Sequence, residues 1–329
     1  MSMKATALAH PNIAFIKYWG LNDEAERIPA NDSISMNIGC LSTRTTVECD
    51  HSLTEDTLTL NGQHVSGQAL ERVGQFMDLI RQKANLPYYA HIKSENNFPI
   101  GAGIASSASA FAALALAGTA ALGLHLPEKE LSSLARYGSG SACRSIPGGF
   151  VEWRTDSQKG ESFASSFAPA GHWKLVDLIA ILSEEHKLVG SEAGMVSAIS
   201  SPFQEARVQD APRRLDLCRR AILNQDFNAL AEVIELDSNM MHAVMMTSDP
   251  PLFYWRPASL AIMKAIKGWQ KQDIPVTYTL DAGPNVHVIC PQEAMGEVLS
   301  RLRQFPSVLN ILKGIPAGPA RLLAVNSSE

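Results

Sequence analysis

The sequence predicts a two-domain protein of the mixed α/β or α+β class. Its 329 residues exceed one ordinary domain of roughly 100–200 residues, and strand-like and helix-like hydrophobic patterns alternate in both halves. We predict the boundary near residue 183, which gives domains of residues 1–183 and 184–329. The composition is globular, with 46% hydrophobic and 19% charged residues, and it excludes a disordered, collagen-like or disulfide-scaffold chain.

The first half mixes strands with helices. The Thr- and Val-rich segment 42–50 alternates between apolar and polar residues, as half-buried strands do, and Asn61-Gly62 is a strong hairpin signal. Helical spacing from residue 68 and an Ala/Leu run from residue 108 predict one amphipathic and one fully buried helix. The predicted strands are 42–50, 57–60, 63–65, 88–93 and 172–182, the predicted helices are 68–83 and 108–124, and residues 94–99 are predicted as a turn.

The second half begins with helical patterns. Apolar residues recur at helical spacing in three segments, which predict amphipathic helices at 213–223, 228–246 and 257–270. Two short β-branched segments, 276–280 and 286–290, predict strands joined by the loop 281–285.

Charge and cysteine content restrict the possible partners and location. The chain has 28 Lys and Arg residues against 33 Asp and Glu residues and no basic run, which argues against nucleic acid as a partner. Its five cysteines are scattered and form no Cys-x-x-Cys pair, so we expect them to be reduced in a cytoplasmic protein. The start of the chain is poor signal-peptide material, and the apolar run 108–124 is too short for a membrane span, so we expect no membrane association.

The segment 99–109 is the strongest candidate for an anion-binding loop. Gly101 and Gly103 would let the backbone approach a ligand, and Ser106 and Ser107 precede the predicted buried helix, whose free N–H groups and dipole favour an anion. The spacing is not that of a P-loop. A tight turn with a helix cap, whose small residues only permit close packing, explains the segment equally well.

Three charged residues have both a chemical and a plain structural interpretation. Lys17 follows an apolar run and could point into a cleft, or it could be an edge lysine that covers apolar surface. Arg144 lies among serines and glycines in 138–145 and could grip a carboxylate or phosphate, or the segment could be a flexible surface loop. Asp281 between two strands is well placed for a general base, and an Asx turn explains it too.

Taken in order, several segments resemble the mevalonate diphosphate decarboxylases of the GHMP kinase superfamily, over residues 5–290. The combination of Ser-Gly-Ser-Ala-Cys-Arg at 139–144 with Asp-Ala-Gly-Pro-Asn at 281–285 is specific, whereas the Gly/Ser loop alone marks only the superfamily. His242 lies in one matching segment, although packing is its commoner role. The matching segments are 12–20, 28–35, 96–99, 138–145, 148–153, 187–195, 237–242 and 278–285.

The resemblance implies a fold and a reaction. The fold is an N-terminal domain like the second domain of ribosomal protein S5 and a C-terminal ferredoxin-like domain, with the site in the cleft between them. The reaction is ATP-dependent phosphorylation of the 3-hydroxyl of a 5-phosphorylated mevalonate, followed by loss of phosphate and carbon dioxide to give an isopentenyl phosphate. The resemblance further implies ATP and Mg²⁺ as cofactors, a cytoplasmic location and a homodimer; it assigns no metal ligand.

The family's residue roles fall on matching positions. Asp281 would orient or deprotonate the 3-hydroxyl, with Lys17 close by, and Arg144 would grip the substrate carboxylate. The implied substrate contacts are Tyr18, Ser139, Gly140, Ser141, Arg144, Ser191 and, by a looser alignment, Arg72. The implied contacts to the ATP phosphates are Gly101, Gly103, Ala105, Ser106 and Ser107.

One departure from the family pattern bears on the substrate. Leu21 stands where the family usually has a lysine associated with the 5-diphosphate. Loss of such a contact makes the 5-monophosphate a plausible substrate, as in the phosphomevalonate decarboxylases of the same family. The nearest alternative is a kinase that stops after 3-phosphorylation, and a more distant one is a non-catalytic nucleotide-binding protein.

Overall fold

The computed structural model describes residues 3–98, 106–156, 158–183 and 190–324. The strands are β1 (Lys4–Ala9), β2 (Asn12–Ile16), β3 (Leu21–Asp23), β4 (Ile28–Pro29), β5 (Ser33–Gly39), β6 (Thr43–Asp50), β7 (Thr57–Leu60), β8 (Gln63–Val65), β9 (Tyr89–Asn96), β10 (Phe150–Asp156), β11 (Glu161–Ala168), β12 (Leu175–Ile181), β13 (Thr277–Thr279), β14 (Val286–Pro291), β15 (Asn310–Pro316) and β16 (Arg321–Leu323). The helices are α1 (Gln68–Ala84), α2 (Ser106–Ala121), α3 (Glu128–Gly138), α4 (Ser191–Ser197), α5 (Gln204–Asn224), α6 (Phe227–Thr247), α7 (Pro257–Gln270) and α8 (Met295–Leu302), with 3₁₀ turns at Gly140–Ser145, Ala198–Ser200 and Gln292–Ala294.

A six-stranded sheet covered by helices forms the first layer. Its strand order is β16-β1-β6-β9-β7-β8. Strand β6 alternates buried and more exposed residues, so the sheet buries one face. That face packs against α1, α2 and α3 in a core that includes Val47, Ile92, Phe76, Phe111 and Leu131.

An eight-stranded sheet joins the two halves of the chain. Its order is β11-β10-β5-β15-β12-β14-β13, and β2 also pairs with β5. Strand β15 lies between β5 and β12, and the close approach of β5 and β15 requires a glycine, because a Cβ on Gly314 would lie 2.1 Å from Ile38 Cγ2. Strand pairing therefore crosses residue 183, and the predicted division of the chain at that residue stays a prediction.

Strand β12 is buried on both faces. Leu175 and Ile179 point into a core with α5 and α6, whereas Val176 and Leu178 point into a second core with α7 and α8. This explains why the segment is continuously apolar instead of alternating.

Most predicted elements are confirmed within one to three residues at each end. The predicted hairpin has its turn at Asn61 and Gly62, both with positive φ, and α7 has the predicted bounds. The predicted buried helix is α2, whose Ala- and Leu-rich sequence is buried on nearly every side. In the described residues, no helix is long and apolar enough to cross a membrane. The five cysteines all lie in these residues and form no disulfide.

Three predictions at this level were wrong. Residues 94–96 continue strand β9 instead of turning, because β6 pairs with them up to Thr43 opposite Asn96. Helix α5 begins at Gln204 and includes Pro212, after which the prediction had started it. The alternative of a flexible surface loop at 138–145 is excluded, because Gly140–Ser145 is a largely buried 3₁₀ turn.

Candidate active site

A pocket lies where β2, α2, the 3₁₀ turn 140–145, α4 and the loop after β13 meet. Every predicted site residue that the structure describes lines it: Lys17, Tyr18, Arg72, Ser106, Ser107, Ser139, Gly140, Ser141, Arg144, Ser191 and Asp281. The three remaining predicted residues, Gly101, Gly103 and Ala105, lie outside the described residues. Lys17 and Asp281, which are 264 positions apart in the chain, thus share one cavity.

Lys17 and Asp281 form an ion pair at the base of the pocket. Lys17 directly follows the fully buried strand β2, and its Nζ donates to Asp281 Oδ1 at 2.7 Å. The lysine side chain is 2% exposed and that of the aspartate 27%. A ligand can therefore reach the carboxylate while the ammonium group stays behind it.

Helices α5 and α6 fix the backbone at Lys17 through buried polar groups. The Lys17 amide donates to Asp237 Oδ2 at 2.6 Å, and the Lys17 carbonyl accepts from Arg207 Nη2 at 2.7 Å. Asp237 Oδ1 in turn accepts from Arg214 Nε at 2.8 Å. Burial lowers the pKa of Arg207 to about 10, so it remains a cation at neutral pH. Gln204 likewise donates to the Trp19 carbonyl. The bonds from Gln204 and Arg207 explain why α5 begins as early as Gln204.

His242 lies in the same buried region, behind the ion pair. Its ring is 4.7 Å from that of Trp255. Burial and, to a smaller extent, the charge on Lys17 lower the pKa of His242 to about 3. The histidine is therefore neutral at physiological pH.

Arg144 presents a buried guanidinium to the pocket. Its Nη1 donates to Ser33 Oγ at 2.8 Å and its Nε to Asn12 Oδ1 at 3.3 Å. These bonds use two of the five guanidinium N–H groups. Burial lowers the pKa of Arg144 below its usual value, which an arginine tolerates without losing its charge. The fork is held rigidly and can bind a carboxylate.

The serine-rich segments meet at the start of α2. Ser107 Oγ lies 3.3 Å from Ser139 Oγ, and both side chains line the pocket. No acidic residue occupies the first turn of α2. Its N-terminal N–H groups, its dipole and the hydroxyls therefore favour an anion here.

Gly140 has a packing role that its predicted function did not include. A Cβ at this position would lie 2.7 Å from the ring of Tyr18. Tyr18 packs edge-on against Trp153, with ring centroids 4.8 Å apart, and burial raises its pKa. The glycine thus lets Tyr18 form the pocket wall as a neutral phenol.

Arg72, a predicted site residue, belongs to a cluster of three charged residues that line the pocket. Its other two members, Arg27 and Glu192, were not predicted from the sequence. Glu192 Oε1 accepts hydrogen bonds from Arg27 Nη1 and, at 2.8 Å, from Arg72 Nη2. Glu192 lies within the matching segment 187–195, and Arg27 immediately precedes 28–35. The only signal in the sequence was therefore that these two residues lie within or directly beside a matching segment.

Two family models and several curated relatives match most of this chain. Residues 9–164 match the family model of a diphosphomevalonate decarboxylase-like N-terminal domain, and residues 177–319 match that of a mevalonate 5-diphosphate decarboxylase C-terminal domain. The diphosphomevalonate decarboxylase of Ganoderma lucidum is 38% identical over 93% of this chain and 83% of its own length. The human diphosphomevalonate decarboxylase is 36% identical over 97% of this chain and 86% of its own length.

Solved structures agree with these sequence matches. Mevalonate diphosphate decarboxylase from Staphylococcus aureus superposes with a TM-score of 0.92 at 37% identity, covering 98% of this chain and 99% of that one. A structure of MDDEF in complex with MVAPP, AMPPCP and magnesium superposes with a TM-score of 0.90 at 37% identity, covering 97% of this chain and 98% of that one. The predicted two-domain mixed α/β fold is thereby confirmed.

Proposed function

Because the chain belongs to the diphosphomevalonate decarboxylase family, we propose that its pocket catalyses the ATP-dependent decarboxylation of a 5-phosphorylated mevalonate to an isopentenyl phosphate. Members of this family are ATP-dependent carboxy-lyases of the mevalonate pathway. The observation that carries the assignment is that Asp281, paired with Lys17, shares one pocket with the buried guanidinium of Arg144. The charge of Asp281 also acts on the Arg144 guanidinium, and in this proposal one six-carbon hydroxy acid contacts both groups.

Asp281 is the group that orients or deprotonates the 3-hydroxyl. Its carboxylate is accessible, and the bond from Lys17 Nζ holds one of its oxygens in place. The adjacent ammonium charge also stabilises negative charge that develops on the reacting oxygen. The buried bonds of Asp237 and Arg207 to the Lys17 backbone maintain this geometry.

Arg144 holds the substrate carboxylate until the C–C bond breaks. Loss of phosphate from the tertiary carbon builds positive charge there, and the fixed carboxylate then leaves as carbon dioxide. Ser139 and Ser141 line the wall beside Arg144 and can donate to the same carboxylate. The apolar side chains of Trp19, Met195 and Met241 in the lining help to exclude water from the cationic centre.

The residues present fit ATP phosphates. Ser106 and Ser107 face the pocket at the start of α2, where no carboxylate opposes an anion, and a solved relative binds AMPPCP and magnesium together with MVAPP. ATP bound with Mg²⁺ supplies the phosphoryl group and charge neutralisation. Residues 101, 103 and 105 remain proposed contacts, as in the sequence prediction.

The 5-monophosphate is, in our proposal, used at least as well as the 5-diphosphate. Leu21 packs beside the Tyr18–Trp153 cluster and brings no charge where the family usually has a lysine. One charged hydrogen bond to phosphate is worth about 1.5–3 kcal/mol, so its absence weakens selection for the second phosphate.

The deciding experiment gives the enzyme ATP and Mg²⁺ with mevalonate, its 5-phosphate and its 5-diphosphate, and measures ADP, phosphate and carbon dioxide. We expect equal release of the three products with a phosphorylated substrate. Release of ADP without carbon dioxide would support the alternative of a kinase that stops after 3-phosphorylation. ATP consumption that does not rise when any of the three substrates is added would support a non-catalytic protein. A large preference for the diphosphate would refute the monophosphate proposal alone.

The homodimer and the cytoplasmic location stay proposals that rest on the family. Light scattering coupled to size-exclusion chromatography tests the first, and cell fractionation tests the second.

A further inference from the structure

The charges around the pocket divide into two groups. Lys17 pairs with Asp281, and Arg144 is bonded to the neutral side chains of Asn12 and Ser33. The other charged lining residues in the described part of the chain are Arg27, Arg72 and Glu192. With Asp281 at the 3-hydroxyl and Arg144 at the carboxylate, the phosphorylated end of the substrate is directed to Arg27 and Arg72, because they are the remaining cations of the described lining. We call these two residues the arginine pair.

The arginine pair is held by a carboxylate that belongs to the protein. Both guanidinium groups donate to the same oxygen, Glu192 Oε1. Arg72 is anchored independently, because its Nε and Nη2 also donate to the Gly138 carbonyl at 3.2 and 2.6 Å, and its guanidinium lies 4.9 Å from the Phe111 ring centroid. Glu192 is half-exposed, at 50% of its side chain, and lies in the first turn of the short helix α4.

Glu192 cancels one of the two positive charges that a phosphate would meet. A phosphate monoester carries a charge of about −1.5 to −2 at neutral pH, and a diphosphate adds roughly one more. With Glu192 ionised, the arginine pair and Glu192 together carry a net charge of +1, which suits a single phosphate better than two. The second phosphate of a diphosphate would approach the Glu192 carboxylate and be repelled.

We propose that Glu192 is a specificity-determining residue that sets how many phosphate groups the pocket accepts at the 5-position. The inference rests on the proposed function, since it concerns the phosphorylated end of the same substrate. It identifies a protein carboxylate as the group that disfavours the diphosphate, in addition to the missing lysine at position 21.

The test compares kcat/KM for the 5-diphosphate and 5-monophosphate in the wild type and three variants. Glu192→Gln keeps the shape and removes the charge, Glu192→Asp keeps the charge, and Glu205→Gln is the matched control, an exposed carboxylate on α5 bonded to Gln209. Allowing for solvent screening, we expect Glu192→Gln to raise the diphosphate-to-monophosphate ratio about tenfold, mainly through KM. Glu192→Asp and Glu205→Gln should leave the ratio within about twofold of the wild type.

A charge effect also depends on salt. The increase in the diphosphate-to-monophosphate ratio of kcat/KM caused by Glu192→Gln should become smaller between low salt and about 0.5 M salt, where screening is strong. A purely structural role of Glu192 would not produce this salt dependence. An unchanged ratio in Glu192→Gln, with both substrates turned over, overturns the inference and leaves the proposed function intact. If the wild type turns over neither substrate, the proposed function fails and this inference fails with it.

Discussion

Replacing Asp281 by asparagine isolates the chemistry of one oxygen atom. The amide has nearly the same shape and can still accept the bond from Lys17 Nζ, which is now 2.7 Å long. It can no longer take a proton or carry the negative charge. A positioned general base contributes about 10²–10⁴-fold, equivalent to about 2.7–5.4 kcal/mol of activation free energy at 1.36 kcal/mol per factor of ten. We expect turnover to fall by that range.

The same change should lower the stability moderately and leave the protein folded. Removing one partner of a fully buried ion pair costs about 3–5 kcal/mol, but Asp281 is 27% exposed, and asparagine keeps an acceptor for Lys17. We therefore expect a loss of about 1–3 kcal/mol in the free energy of unfolding.

The assay follows ADP and carbon dioxide in parallel with thermal unfolding. Asp216→Asn, a carboxylate that is 51% exposed and paired on the helix surface, is the control and should retain full turnover. A folded Asp281→Asn enzyme with turnover within about threefold of the wild type would refute the role of this carboxylate.

Three further changes test the groups around Asp281. In Arg144→Lys, the compact ammonium group cannot span Asn12, Ser33 and a substrate carboxylate as the planar guanidinium fork does. The value of kcat/KM should fall about ten- to a hundredfold, with carbon dioxide release lagging behind ADP release, and equal release at the normal rate would contradict this. Asp237→Asn leaves the fully buried Arg214 with less counter-charge and should lower the free energy of unfolding in urea by about 3 kcal/mol; a loss under 1 kcal/mol would count against it. His242 has a pKa of about 3 in the fold and about 6.5 in the unfolded chain, so the unfolded chain binds more protons below pH 6.5. Stability should therefore decline by about 1.4 kcal/mol per pH unit as pH falls from 6.5 towards 3, and His242→Gln should show a shallower decline in urea midpoints.

Local patterns predicted the elements whose shape is decided within a few neighbouring residues. The turn at Asn61-Gly62 needs positive φ at both positions, which these residue types adopt readily. Helix α7 has a proline in its first turn and regular apolar spacing. Prediction failed where a distant segment decides, as in α5, whose first turns are held by bonds from Gln204 and Arg207 to the carbonyls of Trp19 and Lys17.

The candidate site divides in the same way. Lys17, Arg144 and Asp281 could be selected because each has an unusual neighbourhood for its residue type, and the structure places them around one pocket. Arg27 and Glu192 have ordinary surface-like neighbourhoods in the sequence. Only the folded chain brings the turn after β3, helix α1 and helix α4 together, so their ion pairs are not visible in any single segment.

The late strands β15 and β16 have a consequence for synthesis of the protein. Strand β16 pairs with β1, and β15 pairs with β5 and β12. While the ribosome is still translating, the hydrogen-bonding edges of β1 and β12 that β16 and β15 later occupy have no partner until residues 310–323 emerge. Open edges of this kind attract other chains, and pairings this far apart in sequence form slowly. The nascent polypeptide should therefore depend on chaperones until its last strands are released.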